Sequence, residues 1–386
     1  MRKYCEVVVV GAGASGLLCG GLLAGQGISV TILEKNNRVG RKLSATGNGR
    51  CNFTNLHMSR DCYYGDSVWI EKILQKKAPE DIIRLFEEYG IWHRQKDGYV
   101  YPHTNQASTV VGILSKICTD NGVDIVENCR VKHIERRIDR QFFVRTEQGS
   151  ICCRYLIVAT GGEAGKESGG DSSGYFLVKS LGHSVTPLYP GLTGLVCEGK
   201  YWTKVAGTRV QGHFSLEIDG ERTPGETGEI QIVKNGVSGI PVFQFSRVAA
   251  EALAMGRQVC GVIDFVPSMK RETTADWICH HGMAGLVPAK WLPLAQKASD
   301  PIAFVRDFRF PIVDTFGMER AQVTAGGVPL AEVNPDTMES RIQKSLFLLG
   351  EMLDVDGKCG GYNLHFAWST AMIAVEELEK RIKERD

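Results

Sequence analysis

The sequence has 386 residues, which is enough for two or three domains with a sizeable buried core. Charged residues make up 23% of it and the formal net charge is +1, so no strong field attracts nucleic acid or an anionic membrane. No stretch reaches the roughly 18 apolar residues of a membrane span, and Glu6 interrupts the short apolar run near the start. Composition therefore argues against nucleic acid and membrane as partners, and it leaves the oligomeric state open.

The twelve cysteines show no C-x-x-C spacing. Their only close pair, Cys152 and Cys153, is vicinal, and vicinal cysteines make a poor structural bridge. Reduced thiols are the simplest account of this pattern, so we expect a cytoplasmic location.

The most informative stretch is a strand, a glycine-rich turn, a helix and a second strand within residues 7–34. Four valines at 7–10 predict a buried parallel strand, and residues 11–16 read G-A-G-A-S-G. Three glycines at this spacing allow a tight turn, a close approach to a pyrophosphate and close helix packing. The second strand is predicted at residues 28–33 and ends at Glu34, where a carboxylate accepts hydrogen bonds from ribose hydroxyls. The combination predicts a bound dinucleotide rather than a ligand-free βαβ unit.

A polar stretch without helical or strand period follows at residues 35–53, and we predict a long loop. Its cations, Arg41 and Lys42 among them, and donors such as Thr46 and Gly47 suit a pyrophosphate, although a solvated basic loop is the alternative. Cys51 lacks a partner for a redox disulfide because Thr46 stands at the C-x-x-x-x-C position, so we expect Cys51 to be packed or close to a flavin.

The next segments are predicted from periodicity and turn residues. We expect amphipathic helices at 67–77 and 79–89, a strand at 98–102, a helix at 107–120, a strand at 123–126, a hairpin at 130–138 and 141–146, and a strand at 150–159. Thr160 and Gly161 follow that last strand, and ligands of open α/β sheets lie at the carboxyl ends of strands.

From about residue 187 the pattern changes to short alternating runs and glycine turns. We predict antiparallel strands at 194–197, 212–218 and 229–233, a helix at 241–255, a strand at 258–265 and helices between 271 and 307. We expect no metal centre: His280 and His281 are adjacent on a helix and point in different directions.

Glycine-rich sequence returns near the end of the chain. A strand at 346–349 leads into a loop with Gly350, Glu351, Gly360 and Gly361, and we predict a helix at 364–383. The loop carboxylates can meet the ribitol hydroxyls of a flavin, and the helix N-terminus can face flavin oxygens. A calcium loop is the alternative, but the spacing does not match an EF-hand.

These motifs together resemble one group of proteins. The fingerprint at 11–16, the run G-N-G-R-C-N at 47–52, V-T-A-G-G-V at 323–328 and the loops at 350–357 and 360–364 are similar to the bacterial NAD(P)/FAD-dependent oxidoreductases described as aminoacetone oxidase-like or bile-acid-inducible flavoprotein reductase-like. The resemblance implies an α/β fold in which both chain ends build a Rossmann-type FAD-binding domain, at 1–188 and 318–386. An inserted β-plus-helical cap domain would occupy 189–317.

The resemblance also implies which residues approach FAD. They are Gly11, Gly13, Ser15, Gly16, Glu34, Lys35, Lys42, Val131, Thr160, Gly161, Gly350, Glu351, Gly361, Tyr362 and Asn363. The residue patterns above add Ala14, Arg41, Thr46, Gly47 and Gly360.

The insert departs from the family pattern. Relatives tend to read G-E-x-x-F-T-x-x-G-x-S-G-P, whereas residues 228–241 read G-E-I-Q-I-V-K-N-G-V-S-G-I-P, with Ile232 and Val233 for the Phe-Thr pair and an extra Ile240. The insert is where a substrate would be covered, so substrate identity does not carry over.

The leading hypothesis is an FAD-dependent oxidoreductase, a C=C or ketone-type reductase, that transfers a hydride between flavin and a small organic substrate with NAD(P)H as electron donor. Only one complete fingerprint is present, so NAD(P)H would visit the flavin as a transient co-substrate, or O₂ would accept the electrons. The alternatives are an O₂-using amine oxidase, a simple NAD-dependent dehydrogenase and a non-catalytic flavin-binding redox sensor. No catalytic acid or base stands out, and Arg50, Tyr101, His103 and Tyr362 are weak candidates from polar loops.

Overall fold

The computed structural model describes residues 3–137 and 141–384. The chain divides into two compact units, one formed by residues 1–188 and 323–386 and the other by residues 189–322. The insert was predicted to end at residue 317, whereas in the structure it extends to residue 322. The added residues include the helical turn at 317–320, and Gly317 at its start donates its N–H to Thr315 Oγ1 at 3.1 Å.

The helices of the described residues, in chain order, are α1 Ala14–Gly25, α2 Arg41–Gly49, α3 Ser67–Lys76, α4 Pro79–Glu88, α5 Ala107–Asp120, α6 Ser173–Ser180, α7 Trp202–Val205, α8 Ile240–Ala254, α9 Arg271–His281, α10 Leu292–Ala295, α11 Pro301–Arg306, α12 Gly317–Arg320 and α13 Tyr362–Lys383. The strands are β1 Lys3–Val10, β2 Val30–Leu33, β3 Thr54–Asn55, β4 Tyr63–Tyr64, β5 His93–Lys96, β6 Tyr99–Pro102, β7 Asp124–Val126, β8 Val131–Arg136, β9 Phe142–Thr146, β10 Gly149–Val158, β11 Tyr189–Gly191, β12 Leu195–Cys197, β13 Arg209–Ile218, β14 Glu221–Arg222, β15 Glu226–Val233, β16 Gly236–Ser238, β17 Val259–Asp264, β18 Phe308–Thr315, β19 Val323–Ala325, β20 Leu346–Leu348 and β21 Asp356–Gly357.

The first unit is built on a sheet in the order β7-β2-β1-β10-β9-β8, with β20 also paired to β10. The strands β7, β2, β1, β10 and β20 run parallel, whereas β9 and β8 continue as an antiparallel meander. Because β1 is followed by α1 and β2 on one side and neighbours β10 on the other, strand order reverses between β1 and β10. This is the Rossmann-type α/β architecture, and both ends of the chain contribute to it, as predicted.

Burial explains why the sheet is so apolar. Val7, Val8 and Val9 are fully buried, as β-branched residues in a central parallel strand should be. The long helix α13 lies on the same core, and its Trp368 is fully buried and donates its indole N–H to the Phe53 carbonyl at 3.0 Å. The C-terminal helix is therefore part of the core of the first unit.

The second unit is an antiparallel sheet closed into a ring. The strand order is β13-β15-β16-β12-β18-β17, and β17 pairs with both β18 and β13, while β14 extends from β13. Three aromatic side chains are buried at its centre: Trp202, Trp291 and Phe310. The rings of Trp202 and Phe310 pack edge to face, with their centroids 4.9 Å apart. The insert is thus a small β-barrel with added helices.

Three predicted details need correction. The stretch at 35–53 is not wholly a loop, because residues from Arg41 form the short helix α2 before left-handed backbone at Gly47 and Asn48 breaks it. The second strand begins at Val30 rather than residue 28. Strand β18, which closes the barrel, was not predicted. Ile138, the last residue of the predicted hairpin strand, lies outside the described residues.

Every helix in the described part of the chain is too short or too polar to cross a lipid bilayer.

Candidate functional site

The carboxyl ends of β1, β2 and β10 meet at the point where strand order reverses. Val10 pairs with Leu33 on one side and with Val158 on the other. The next residues, Gly11 and Thr160, therefore lie together at one edge of the sheet, which is where open α/β sheets bind their ligands.

The glycine turn after β1 has the geometry that its sequence predicts. A Cβ on Gly11 would lie 2.5 Å from the Ala159 carbonyl oxygen, and a Cβ on Gly16 would lie 2.0 Å from the Gly11 carbonyl oxygen. Gly13, in contrast, has nothing within 4 Å of its Cβ position. Helix α1 begins after Gly13 with no side-chain cap, so its first N–H groups are available to a phosphate.

Glu34 is buried at the end of β2, and both of its carboxylate oxygens are already engaged. Oε2 accepts a hydrogen bond from the Ala12 N–H at 2.8 Å, and Oε1 accepts from the Asn36 N–H at 2.8 Å and the Asn36 amide at 2.6 Å. These bonds fix the carboxylate beside the glycine turn and leave lone pairs for ribose hydroxyls.

Lys35 is held by a carboxylate that the sequence analysis did not single out. Asp171 binds Lys35 Nζ at 2.6 Å and Arg130 Nη1 at 3.1 Å. Burial acts to raise the pKa of Asp171, but hydrogen bonds from Lys35 and Ser173 outweigh it and lower that pKa to about 2. The two cations at this edge are therefore held in place by a fully ionised carboxylate.

The C-terminal loop reaches the same edge through Glu351. Its carboxylate accepts hydrogen bonds from Lys42 Nζ at 2.7 Å and from the Thr324 N–H at 2.9 Å. A Cβ on the neighbouring Gly350 would lie 2.9 Å from Ser15 Oγ, so this loop packs directly on the start of α1.

These groups surround an open cleft with about 690 Å³ of free space. The predicted residues that line it are Gly11, Gly13, Glu34, Lys35, Arg41, Lys42, Val131, Thr160 and Gly161. Ser15, Gly16, Gly350 and Glu351 adjoin this lining through the contacts above, and Ala14 is the first residue of α1. Arg41 is anchored by donating to the Glu167 carbonyl at 2.7 Å.

The turn before α13 forms a second cradle in the same unit. A Cβ on Gly361, whose φ is 93°, would lie 2.7 Å from the Thr54 carbonyl oxygen, and Gly360 accepts from the Asn55 amide at 2.8 Å. The Asn363 side chain closes the turn by bonding to both backbone groups of Gly357, each at 2.8 Å.

The remaining predicted residues lie away from the lining of the cleft. Thr46 and Gly47 belong to the kinked end of α2, and Thr46 Oγ1 donates to the Leu43 carbonyl at 2.6 Å. Tyr362 is buried, and its hydroxyl donates to the His57 carbonyl at 3.3 Å. Arg50 and His103 are exposed, and Tyr101 is half-buried. Their catalytic roles stay predictions.

Cys51 is fully buried, and this burial raises the pKa of its thiol to about 12. It is therefore a packed residue and not a reactive thiolate. Within residues 3–137 and 141–384, no group of three or more His, Cys, Asp or Glu side chains could hold a metal ion.

Sequence reasoning missed part of the cleft lining. The missed residues include Asn36, Cys129, Arg130, Ser168, Gly169, Gly170, Ser173 and Leu177. A signal was present, because residues 168–174 read S-G-G-D-S-S-G, lead into the first residues of α6 and combine turn glycines with hydroxyl donors.

The residues present fit FAD. The open space at Gly13 admits a pyrophosphate, Glu34 is placed for a ribose, and Glu351 is within reach of the same edge for a polyol chain.

Comparisons with known proteins agree with this assignment. The family model described as HI0933-like protein Rossmann domain matches residues 5–377. A 3-dehydro-bile acid delta(4,6)-reductase from Clostridium scindens is 34% identical, covering 96% of this chain and 98% of the relative. A ribosomal RNA dihydrouridine synthase from Haemophilus influenzae is 28% identical, covering 96% and 98%. The structure of a 3-ketosteroid-delta4-(5alpha)-dehydrogenase from Rhodococcus jostii shares the fold, with a TM-score of 0.52, 13% identity and coverage of 98% and 97%.

Proposed function

The chain belongs to the family described as HI0933-like protein Rossmann domain and is an FAD-dependent oxidoreductase, and from this premise we propose that it reduces a carbon–carbon double bond conjugated to a carbonyl group. The substrate is a small organic molecule such as an unsaturated ketosteroid, and NAD(P)H is the electron donor. We also place the enzyme in the cytoplasm, where NAD(P)H is available and cysteines stay reduced.

The names of two relatives carry this proposal. One is a delta(4,6)-reductase of a 3-dehydro-bile acid and the other is a dihydrouridine synthase. Dihydrouridine is uridine with its C5=C6 bond reduced, and that bond is conjugated to the C4 carbonyl. Both reactions can be described in the same way: the carbon of the double bond that is remote from the carbonyl group receives a hydride, and the carbon next to the carbonyl group receives a proton.

FAD supplies the hydride chemistry when it is bound, and the residues of the chain bind and orient it. The N-terminus of α1 and the open face of Gly13 would receive the pyrophosphate, while Glu34 would accept from the ribose hydroxyls. Glu351, held by Lys42, would bind the ribitol hydroxyls. The N-terminus of α13 would offer its partial positive charge to the flavin and stabilise negative charge on it.

A small substrate is favoured over RNA by the charge of the insert. Residues 189–322 carry as many acidic as basic side chains, so the insert offers no net field for a polyanion. The 28% identity with a ribosomal RNA dihydrouridine synthase nevertheless makes RNA a substrate that the experiment must include.

The test is anaerobic reduction of the purified flavoprotein by NADH or NADPH, followed by addition of one candidate acceptor. A 4-en-3-one or 4,6-dien-3-one steroid should reoxidise the flavin and gain two hydrogens by mass spectrometry. The matched control is the Gly11→Val variant, which should lose flavin and activity together because Cβ would meet the Ala159 carbonyl.

Three other results would contradict the proposal. Reoxidation by ribosomal RNA with formation of dihydrouridine would assign an RNA substrate. Peroxide release from aminoacetone under O₂, without reduction by NAD(P)H, would assign an amine oxidase. Bound flavin with no turnover of any donor or acceptor would favour a redox sensor.

A further inference from the structure

Two arginines share one tyrosine ring in the first unit. The guanidinium carbons of Arg50 and Arg94 lie 5.8 and 5.4 Å from the centroid of Tyr101. Arg50 Nε donates to the Gly47 carbonyl at 3.0 Å, and Arg94 Nη2 donates to Asn105 Oδ1 at 2.7 Å. Within residues 3–137 and 141–384, no Asp or Glu forms an ion pair with either guanidinium. Two positively charged guanidinium groups thus lie against the Tyr101 ring, and neither is neutralised by a carboxylate of the described residues.

The backbone that carries Arg50 is in an unusual conformation. Asn48 and Cys51 have φ of 54° and 58°, in the left-handed region that residues with a side chain rarely adopt. The N–H groups of Arg50 and Cys51 both donate to the Thr46 carbonyl at 3.1 Å, and the Cys51 side chain is fully buried. The fold therefore fixes the point from which Arg50 projects.

The pair lies beside the turn that begins α13. Tyr99 and Tyr101 share one face of β6, because side chains alternate along a strand. A Cβ on Gly360 would lie 2.9 Å from the Tyr99 ring. Burial raises the pKa of Tyr101, and among its neighbours Arg50 and Arg94 lower that pKa while the Cys359 thiol raises it. Tyr99, whose ring lies against Gly360, therefore places Tyr101 on the same strand face at the edge of the second cradle.

We propose that Arg50 and Arg94, with Tyr101 as their shared platform, form an anion subsite that binds a carboxylate or phosphate of a ligand approaching the flavin. Arginine suits this role because its planar fork binds both anions through paired hydrogen bonds. Each guanidinium has five N–H donors, and the protein contacts use Nε of Arg50 and Nη2 of Arg94. The anion is either a carboxylate of the substrate or a phosphate of the nicotinamide nucleotide. The inference rests on the proposed function in taking its ligand from that reaction.

The test measures binding to the oxidised, FAD-loaded protein by isothermal titration calorimetry, so it does not depend on turnover. The carboxylate probe is a 4-en-3-one steroid with a side-chain carboxylate, compared with its methyl ester. The phosphate probe is NADP⁺, compared with nicotinamide riboside. The variants are Arg50→Gln and Arg94→Gln, and the control is Arg84→Gln on α4, an exposed arginine 3.5 Å from Asp81.

The expected result is a loss of about tenfold in affinity for one anionic probe in both variants, since a charge-assisted hydrogen bond contributes about that much. Affinity for the matched probes without the anionic group, the methyl ester and nicotinamide riboside, should change less than about twofold, as should every affinity of the Arg84→Gln control. A loss confined to the steroid acid assigns the substrate carboxylate, and a loss confined to NADP⁺ assigns the nucleotide phosphate. Arg94→Lys should recover part of the affinity because it keeps the charge.

Equal weakening of each anionic probe and its counterpart without the anionic group would overturn the subsite, as would unchanged affinity in both variants. It would also be overturned if the wild-type protein bound neither anionic probe more tightly than that counterpart. If the anionic probes bind through the two arginines but no enone is reduced, the proposed function is contradicted and the subsite stands. If an enone is reduced but binding of the anionic probes does not depend on the arginines, the subsite is contradicted and the proposed function stands.

Discussion

Lys42 and Glu351 are 309 positions apart in the chain, and Lys42 Nζ donates to both carboxylate oxygens of Glu351 at 2.7 Å. The pair ties the segment after β2 to the loop after β20, so the two chain ends share one edge of the cofactor cleft. Both side chains are mostly buried, which makes the pair less screened than an exposed one.

We expect Lys42→Met to weaken FAD binding by about tenfold, because it leaves Glu351 without its cation. Quenching of FAD fluorescence on titration with apoprotein gives the affinity. The matched control is Lys76→Met, which removes an exposed pair with Asp336 at 3.0 Å and should leave the affinity unchanged. Equal FAD affinities for Lys42→Met and the wild type would show that the pair does not support the cofactor site.

Two glycine-to-alanine variants should have opposite consequences: Gly16→Ala should impair flavin binding, and Gly112→Ala should stabilise the protein. In Gly16→Ala the new Cβ would lie 2.0 Å from the Gly11 carbonyl oxygen, so the turn must move and flavin content should fall sharply. In Gly112→Ala the new Cβ meets nothing within 4 Å, and Gly112 is exposed inside α5. That variant should raise the free energy of unfolding by about 0.5–1 kcal/mol. Flavin absorbance and urea unfolding measure the two effects, and normal flavin content in Gly16→Ala would refute the steric argument.

His365 should make stability depend on pH. It is fully buried, with Nε2 donating to the Lys77 carbonyl at 3.0 Å and Nδ1 accepting from the Thr54 hydroxyl at 2.9 Å. Burial lowers its pKa to about 4, against 6.5 for an exposed histidine. As pH falls from about 6.5 to about 4, only the unfolded chain takes up this proton, so the free energy of unfolding decreases.

The expected loss is about 2 kcal/mol between pH 7 and pH 5, measured by urea unfolding at each pH. The His365→Gln variant should lack this component, although it is less stable at pH 7. If the free energy of unfolding of His365→Gln still fell by the wild-type amount between pH 7 and pH 5, the pH dependence would belong to other groups.

Tyr175 carries a hydroxyl that is buried with no hydrogen-bond partner among the described residues. We expect Tyr175→Phe to raise the free energy of unfolding of the apoprotein by about 1 kcal/mol, because an unmet polar group is removed. Tyr63→Phe is the matched control: that hydroxyl donates to the Tyr362 carbonyl at 2.9 Å, so its loss should lower stability by about 1 kcal/mol. Destabilisation by Tyr175→Phe would mean that the hydroxyl has a partner in solution.

Local signals predicted much of the fold. Helix α5 was predicted at its observed bounds because periodicity marks its face and Asn121-Gly122 marks its end. Helix α2 was missed because it is short and its kink comes from left-handed backbone at Gly47 and Asn48, which leaves no periodic pattern. The barrel closure was missed because it requires β17 to pair with both β13 and β18, a relation between distant segments.

The same division holds at the cleft. The glycine turn and Glu34 were predicted because all their signals lie within one βαβ unit. Asp171 was missed because its importance comes from binding Lys35 and Arg130, which only the folded sheet brings near it. Arg94 likewise meets Tyr101 as its partner across the β5–β6 hairpin, and Arg50 reaches the same ring from the end of α2, so neither contact follows from spacing along the chain.

β20, Glu351 and α13 are synthesised long after the glycine turn at residues 11–16. The turn therefore lacks Glu351 and the packing of α13 until this later segment has left the ribosome. Flavin capture should wait for that segment, and a ribosome stalled before residue 346 should carry a colourless, protease-sensitive chain.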